Sequence, residues 1–345
     1  MSKGAAKDGW SSSLPTRTGE IGLGQALLAL ALLAYPAIAS DFFLTQIGAL
    51  SLIEGMLGLS LTMLAGYGGM VSLAQLSVAG VAGYVIAIFG QSTTGVHSFD
   101  WPWMAIVPLA IACAACASAL IGWISARTAG IYTIMITLAI ATAVFYFAQQ
   151  NYAIFNGHSG FAGVYAPVAF GVDWRAPRPF YYLTLVVAAA AYASILYGRR
   201  SIFGLTIQGI RDNERRMRAL GYNTVLHKVV AWLLSGVIAG AAGVLLVWFH
   251  GRISPSTIDV AASLNILVIA VIGGLRHPIG PFLGALVVVL LQTFASDLVG
   301  AERFNTLIGL VFLVIVYISD DGILGLWRKA APWLARADRT ASSLK

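Results

Sequence analysis

The sequence predicts an all-α polytopic membrane protein of about ten transmembrane helices (roughly eight to ten), with glycine-rich helix breaks and both termini cytoplasmic. Two observations carry the class. Hydrophobic residues make up 59 % of the 345 and charged residues only 10 %, with a mean hydropathy of +0.82. A soluble domain of this length needs far more charge to cover its surface. Apolar runs of about 18 or more residues also recur along the whole chain, each able to cross the ~30 Å hydrocarbon layer as a helix. The net charge of +7 would suit nucleic acid, but the basic residues sit at the ends of the apolar runs. Orientation in the membrane accounts for them, so membrane lipid and no nucleic acid is the expected surrounding.

The first run covers 21–39 and follows an N-terminal tail, 1–20. Residues 21–35 followed by Ala37-Ile38-Ala39 imitate a signal-peptide core with a small-residue cleavage site. Twenty residues precede that core and the run is long enough to span, which predicts an uncleaved first helix. The second run, 42–65, carries Glu54 well inside it. A lone carboxylate in hydrocarbon is expensive and faces the bundle interior or is protonated. It binds an ammonium group, relays a proton, pairs with an arginine at a helix end, or hydrogen-bonds a neighbouring helix; the sequence leaves these open.

Gly66-Tyr67-Gly68-Gly69 then interrupts the apolar region, and Ser72 and Gln75 head the next run, 74–90. Irregular backbone at membrane depth survives only where it is buried in protein or lines a cavity. Tyr67, Ser72 and Gln75 are therefore candidates, with Glu54, for a solute path; a tight turn between hairpin helices is the plainer reading. In 102–126, Cys113 and Cys116 are one turn apart and read as small packing residues. In 129–150, Thr133 and Thr137 are path candidates, although hydroxyls such as these and Thr142 often bond their own i−4 carbonyls.

Residues 151–179 form the longest outer connection, in which Asn156, Gly157, His158 and Gly160 are candidates for contact with a delivered ligand or an external partner. A plain surface loop is the alternative. Runs at 180–198 and 229–249 flank a charged island, 199–228, and Gly236, Gly240 and Gly243 in the second suit close helix packing. Two shorter runs, 261–275 and 279–296, meet at Gly273-Gly274-Leu275-Arg276-His277-Pro278-Ile279-Gly280-Pro281, read as a tight inner turn. A last run, 305–320, closes a transmembrane domain of 21–320 before a cytoplasmic tail, 321–345.

Alternating the connections allows two orientations, and Lys and Arg choose between them. With the N-terminus inside, the inner segments hold Lys3, Lys7, Arg17, Arg127, the seven basic residues of the island, Arg276 and five in the C-terminal tail, 17 of the 21. The outer segments keep Arg175, Arg178, Arg252 and Arg303.

The island reads RRSIFGLTIQGIRDNERRMRALGYNTVLHK. On a 100° wheel Ile210, Met217 and Leu220 fall within an arc of about 80°. Arg211, Arg215 and Arg218 lie to one side of that stripe, and Gly209 and Gly221 bracket the segment as helix-ending residues do. This predicts a short two-faced helix parallel to the membrane, with Asp212 and Glu214 in its first turn, where the dipole favours them. Interleaved acidic residues favour a protein partner over a basic loop on anionic headgroups.

Catalytic motifs are missing: no GxxxxGK[ST], HExxH or GxSxG occurs, and the five histidines lack metal-ligand spacing. An enzyme is not expected. A proton-coupled secondary carrier using Glu54 is one rival to a transport component driven by a separate ATPase, and a scaffold is another.

Several stretches together resemble a known family: LxLTMLAGYGGMVSLAQ (59–75) leading into Ala82-Gly83-Tyr84, GIYTIMITLA (130–139), GRRSIFGLTIQGIRDNERRMRALGYN (198–223), SGVIAGAAG (235–243), ISPST (253–257) and IGGLRHPIGPFLGA (272–285). In this order the chain, from about 50 to 320, is similar to the LivM-type permease subunits of branched-chain amino-acid ABC importers. The resemblance implies that 211–221 is a cytoplasmic coupling helix seated in a groove of the ATPase subunit. The expected coupling residues are Arg211, Asp212, Glu214, Arg215, Met217, Ala219 and Gly221; of these Glu214, Ala219 and Gly221 match the family's coupling motif. Gly157 and Gly160 match a glycine-rich outer loop. The implied partners are a homologous LivH-type permease, two ABC ATPase subunits and a periplasmic or extracytoplasmic solute-binding protein, in a multi-pass complex of the plasma (inner) membrane. No cofactor is expected in this chain, ATP and Mg residing on the ATPase subunits. The chain departs from the family at Ala74, where a glycine is usual, at Ser77 and Val78, where an aromatic pair is usual, and at His158, which replaces a common glycine. These positions leave the solute open between a branched-chain amino acid and urea, an amide or an aromatic acid.

Overall fold

The computed structural model describes residues 23–90, 101–128, 130–169 and 171–299, together with 309, 310, 312–314, 317 and 322–325. The expected tail 1–20, most of the tail 321–345 and most of the span 305–320 lie outside these residues. Helix α1 (Leu23–Ile38) belongs to a separate unit ending at Ser40, and everything from Asp41 onward forms a second unit.

In that second unit α2 (Leu50–Thr62) is continuous with wider π-turns, Phe43–Ala49 before it and Met63–Tyr67 after it, making one rod of 25 residues. There follow α3 (Gln75–Phe89), α4 (Trp103–Ser125), α5 (Ile131–Gln150), the single turn α6 (Tyr152–Phe155) and α7 (Pro177–Gly198). The island folds as α8 (Ile202–Asp212) and α9 (Glu214–Ala219), and α10 (Thr224–His250), α11 (Val260–Gly273) and α12 (Gly280–Val299) complete the bundle. Strand β1 (Phe161–Ala162) pairs antiparallel with β4 (Arg252–Ile253), and β2 (Val168–Ala169) with β3 (Val172–Asp173).

Among the described residues six helical segments are long and apolar enough to cross a bilayer: Phe43–Tyr67, Trp103–Ser125, Ile131–Gln150, Pro177–Gly198, Thr224–His250 and Pro255–Gly273. The molecule is a polytopic helical membrane protein. Ten spans are not established by length: α1 has 16 residues and α3 has 15, both short of a full crossing. The helix before Gly273 gains reach from the 3₁₀ turn Pro255–Ile258, which the sequence reading, starting it at 261, left out.

Helix starts follow local chemistry. Ser201, Asn213, Asn223 and Asp259 each accept the backbone N–H of the third residue of α8, α9, α10 and α11, and Pro177 occupies the first turn of α7. Helix α10 and the rod through α2 are the most buried of the spans, and α10 packs on α4, α3 and α2. Small residues set that spacing: Gly236 lies against Ser118, Gly240 against Ala114 and Gly243 against the backbone of Ala79. The Ser118 hydroxyl donates to the Trp232 carbonyl at 2.6 Å across the α4–α10 seam. The expected packing role of these glycines matches what the structure shows.

The helix ends sort into two groups. Residues 66–70, 126–128, 208–228 and 273–280 meet at one end, and 161–162 with 252–253 lie at the other.

Candidate functional site

The island is an elbow rather than one helix. The sequence predicted a continuous element bracketed by Gly209 and Gly221; the break instead falls at Asn213, which is extended (φ −159°, ψ 95°) and caps α9 by accepting the Arg216 N–H at 3.0 Å. An Asn side chain that satisfies an orphan N–H competes with the helix interior, which is why the chain turns there. Gly209 lies inside α8, where its lack of a side chain makes room for Met217 of the folded-back α9. Asp212 ends α8 and Glu214 opens α9, so the two do not share a first turn. The apolar stripe divides accordingly: Ile210 is buried, Met217 is half-buried and packs on the core, and Leu220 is 66 % exposed. Gly221 does end its helix, with φ +87° and bonds from Gly221 N to Arg218 O and from Tyr222 N to Met217 O that satisfy the last carbonyls.

Two contacts tie the elbow to the bundle. The first runs through Arg211, whose Nη1 donates to the Gly66 carbonyl at 2.6 Å while Nε and Nη2 hold Asp212 Oδ1 at 3.1 and 3.0 Å. Its aliphatic stem lies over Gly69, which has φ +67° and no room for a Cβ. Gly66 itself rests on the Leu275 carbonyl, so the two glycine-rich breaks, far apart in sequence, touch each other beneath Arg211.

The second is a clamp on Glu214. Its Oε1 accepts from Arg218 Nη2 at 2.6 Å and from Thr224 Oγ1 at 3.0 Å, and its Oε2 accepts from Lys228 Nζ at 2.9 Å. Lys228 is 5 % exposed and also donates to the Ala126 carbonyl at the end of α4. Burial pushes the Glu214 carboxyl up, but hydrogen bonds from Lys228 and Arg218, the Lys228 charge and the Thr224 hydroxyl outweigh it and hold the group below its ordinary value of 4.5. The unfolded chain takes up this proton near 4.5 and the folded chain only at lower pH. The clamp's contribution is therefore complete above that value and lost as pH falls through the folded one. Lowering the pH from 7 toward 4 is expected to reduce the melting temperature of the purified protein, with a smaller drop in Glu214→Gln; equal drops in the two would exclude the clamp as the cause. Arg215 and Arg216 stay exposed on the elbow's outer surface with Ala219.

Inside the bundle the break is sealed by side chains. After Tyr67 the backbone runs irregularly to Gln75, where the short α3 begins between α2 and α10. Leu73 N–H donates to Thr137 Oγ1 at 3.2 Å and Ala74 N–H to Ser72 Oγ at 3.2 Å, so these residues replace the missing helical bonds. The hydroxyls of Ser60 and Ser235 both reach Gln75 Oε1 at 3.2 Å, and Ser235 also donates to the Ser60 carbonyl at 2.8 Å. Thr133 bonds Thr128 at 3.1 Å, and Thr142 bonds its i−4 carbonyl. Tyr67 and Gln75 keep a buried polar atom without a hydrogen-bond partner.

At the opposite end Asn156 adopts a left-handed conformation (φ 56°) and donates to the Gly160 carbonyl at 2.7 Å. Gly157 packs against the Tyr152 ring, Gly160 against the Ile253 carbonyl, and exposed His158 meets Gln149 at 3.3 Å. The β1–β4 pairing fastens this loop to the end of α10, which makes it a structured cover over the bundle. Beside that cover a cavity of about 290 Å³ is lined by Glu54 of α2, by His250 and Arg252, and by Asn265 of α11. Of the path candidates, Glu54 alone lines this cavity; Tyr67, Ser72, Gln75, Thr133 and Thr137 do not.

The sequence profile of the family described as branched-chain amino acid transport system / permease component matches residues 43–316. The chain belongs to this family. It is 25 % identical over 333 residues to the high-affinity branched-chain amino acid transport permease LivM of Escherichia coli, covering 88 % of this chain and 76 % of that one. It is 26 % identical over 196 residues to a probable LivH permease of Methanocaldococcus jannaschii, covering 54 % and 55 %. The ribose import permease RbsC of Haemophilus influenzae is 22 % identical over 250 residues, covering 70 % and 76 %. No solved structure matches. These relatives are transport permease components and not enzymes.

In this branched-chain amino acid permease family member, three features escaped the sequence reading. Lys228 and Thr224 were taken as the tail of the island, and nothing local marks them as partners of Glu214. Gly66 was seen as a break but not as the seat of Arg211. The signal for Asn213 was available: Asp-Asn-Glu followed by arginines is a helix-start pattern.

Proposed function

We propose that this protein is the permease subunit of an ATP-binding-cassette importer that moves a small polar solute, a branched-chain or related amino acid, into the cytoplasm. Separate ATPase subunits supply the energy through the elbow 202–221. The reading is carried by one observation: Arg211, beside the bend of the basic elbow, is hydrogen-bonded to the carbonyl of a helix break that in turn rests on a second break. A push on the elbow from a docked ATPase reaches both joints through one side chain. Arg215, Arg216 and Ala219 offer the docking surface, while Glu214 and Met217 hold the elbow in shape. The remaining partners are a LivH-type permease, a second ATPase subunit and an extracytoplasmic solute-binding protein, and the complex sits in the plasma (inner) membrane with both termini of this chain cytoplasmic. ATP and Mg belong to the ATPase subunits.

Reconstitution into proteoliposomes tests this. The full complex is expected to import labelled leucine only with ATP, and Arg211→Met is expected to lower the rate about tenfold or more while the assembled complex still hydrolyses ATP. That factor follows from one lost charge-assisted hydrogen bond of roughly 1.5–3 kcal/mol. Uptake by this chain alone, driven by a proton gradient without any ATPase, would establish instead the carrier reading with Glu54 as proton site.

A further inference from the structure

The first turn of α8 is apolar on both sides. Gly204, Thr206, Ile207 and Ile210 are buried against the bundle, while Ile202 and Leu205 are 79 % and 62 % exposed. At the other end of the helix the exposed residues are Arg211 and Asp212, as water requires. The uncovered apolar surface is therefore confined to the end that joins α7, whose last turn adds Tyr197 at 83 % exposure. A helix face of this kind calls for an apolar medium to lie on.

The corner is rigid and its depth is fixed. The span α7 ends at Gly198, and Arg199 and Arg200 follow directly. Ser201 Oγ accepts the Gly204 N–H at 3.2 Å and donates to the Gly198 carbonyl at 2.6 Å. Gly204 lies against that carbonyl and the Arg199 Cα, where a Cβ would not fit. Gln208 Nε2 donates to the Arg199 carbonyl at 3.3 Å. Phe203 stacks on His227 with ring centroids 5.9 Å apart, which holds the turn beside the start of α10, a second span. The exposed apolar side chains sit where two spans leave the hydrocarbon, at the level of the headgroups. Tyrosine at a span end and an in-plane amphipathic helix both suit that level.

Charge decides which headgroup. Arg200 is exposed and Arg199 half-buried, and neither forms an ion pair among the described residues. No acidic residue occurs in the sequence between Asp173 and Asp212. The other half of the elbow differs, since Asp212 and Glu214 there pair with Arg211, Arg218 and Lys228. We propose that the corner 197–205 is a lipid-binding surface that takes an anionic phospholipid. Arg199 and Arg200 hold the headgroup phosphate, and Ile202 and Leu205 lie in the upper acyl region. The island is then divided at Asn213, with α8 beginning in lipid and α9 standing in water. Arg211, at the far end of α8, holds the Gly66 carbonyl, so the lipid anchors the start of the helix that carries this contact. The surface faces lipid whether or not an ATPase subunit is docked.

The test uses the full-length chain purified in detergent and titrated with dioleoylphosphatidylglycerol or dioleoylphosphatidylcholine while its melting temperature is followed. The anionic lipid is expected to raise the melting temperature at lower concentration than the zwitterionic one. Arg199→Gln with Arg200→Gln is expected to raise the half-saturating concentration of the anionic lipid about fivefold or more, the effect of one basic charge near an anionic surface. Arg215→Gln with Arg216→Gln removes the same charge and is expected to leave that concentration unchanged. A second measurement serves if the first pair does not fold. Ile202→Cys, Leu205→Cys and Arg216→Cys, each alone in a background of Cys113→Ala and Cys116→Ala, carry a nitroxide in nanodiscs containing phosphatidylglycerol. Positions 202 and 205 are expected to be open to oxygen and shielded from a water-soluble nickel reagent, and position 216 the reverse. Equal shifts from the two arginine pairs, no difference between the lipids, or nickel access at 202 and 205 equal to that at 216 overturns the lipid surface. Shielding of 202 and 205 from both reagents means that protein covers them, and overturns it too.

Discussion

Glu214→Ala is expected to destabilise the folded protein by about 3 kcal/mol, more than any single loss on the elbow's exposed surface. The reason lies in what is left behind. Lys228 is 5 % exposed and gives its ammonium group to Glu214 and to the Ala126 carbonyl, so removing the carboxylate strands a buried charge. Breaking a buried pair in this way costs ~3–5 kcal/mol, and the lower figure applies because the Glu214 side chain is 27 % exposed and Arg218 reaches it from solvent. The double variant Glu214→Ala, Lys228→Met removes both charges and keeps the apolar stem, and is expected to recover most of the loss. A double-mutant cycle on melting temperatures in detergent measures the coupling. Additive effects of the two substitutions would mean that the pair contributes nothing. Because Glu214 stabilises the elbow from within, an uptake defect in Glu214 variants reports folding first and the proposed ATPase docking second. Arg215 and Arg216, exposed and outside the clamp, are cleaner probes of the proposed docking.

The second large effect is expected at Gly66. A Cβ there collides with the Leu275 carbonyl, a backbone atom that cannot rotate away, and the same stretch of chain is held by Arg211 from the other side. Gly66→Val is therefore expected to cost at the upper end of the ~1–3 kcal/mol typical of overpacking, and to lower the yield of monodisperse protein. Gly198→Ala is the matched control: nothing lies within 4 Å of its added Cβ, and at the end of α7 it should be neutral or stabilising by up to about 1 kcal/mol. If Gly66→Val purifies and melts as Gly198→Ala does, the two breaks do not bear on each other as the structure has them.

Much of this molecule was legible in the sequence because membrane burial acts locally. Apolar runs bounded by charge marked the helices, and three glycines among four residues at 66–69 marked a break. The packing role of Gly236, Gly240 and Gly243 followed from their spacing on one face of α10. The island was legible as a two-faced surface element but not as an elbow. A helical wheel assumes that the helix continues, and Asn213 violates that assumption by bonding Arg216 N–H with its side chain. The path candidates divided for the same reason. Thr137, Ser72 and Gln75 carry polar groups that a sequence cannot tell from path linings, and the structure employs them to satisfy backbone and side chains at the break.

The sequence by itself determined the class of the protein, most of the helix positions among the described residues and the two glycine-rich breaks. Hydropathy, helical period and turn chemistry act over a few residues, so a linear reading reaches them. Only the tertiary structure decided that Arg211 joins Gly66 and that Leu275 lies against it. It also decided that Glu214 turns inward to Lys228, and that Glu54 shares a cavity wall with Arg252. Those pairs are separated by 145, 209, 14 and 198 positions in the sequence and meet only when helices pack, at distances set by side chains on several other elements.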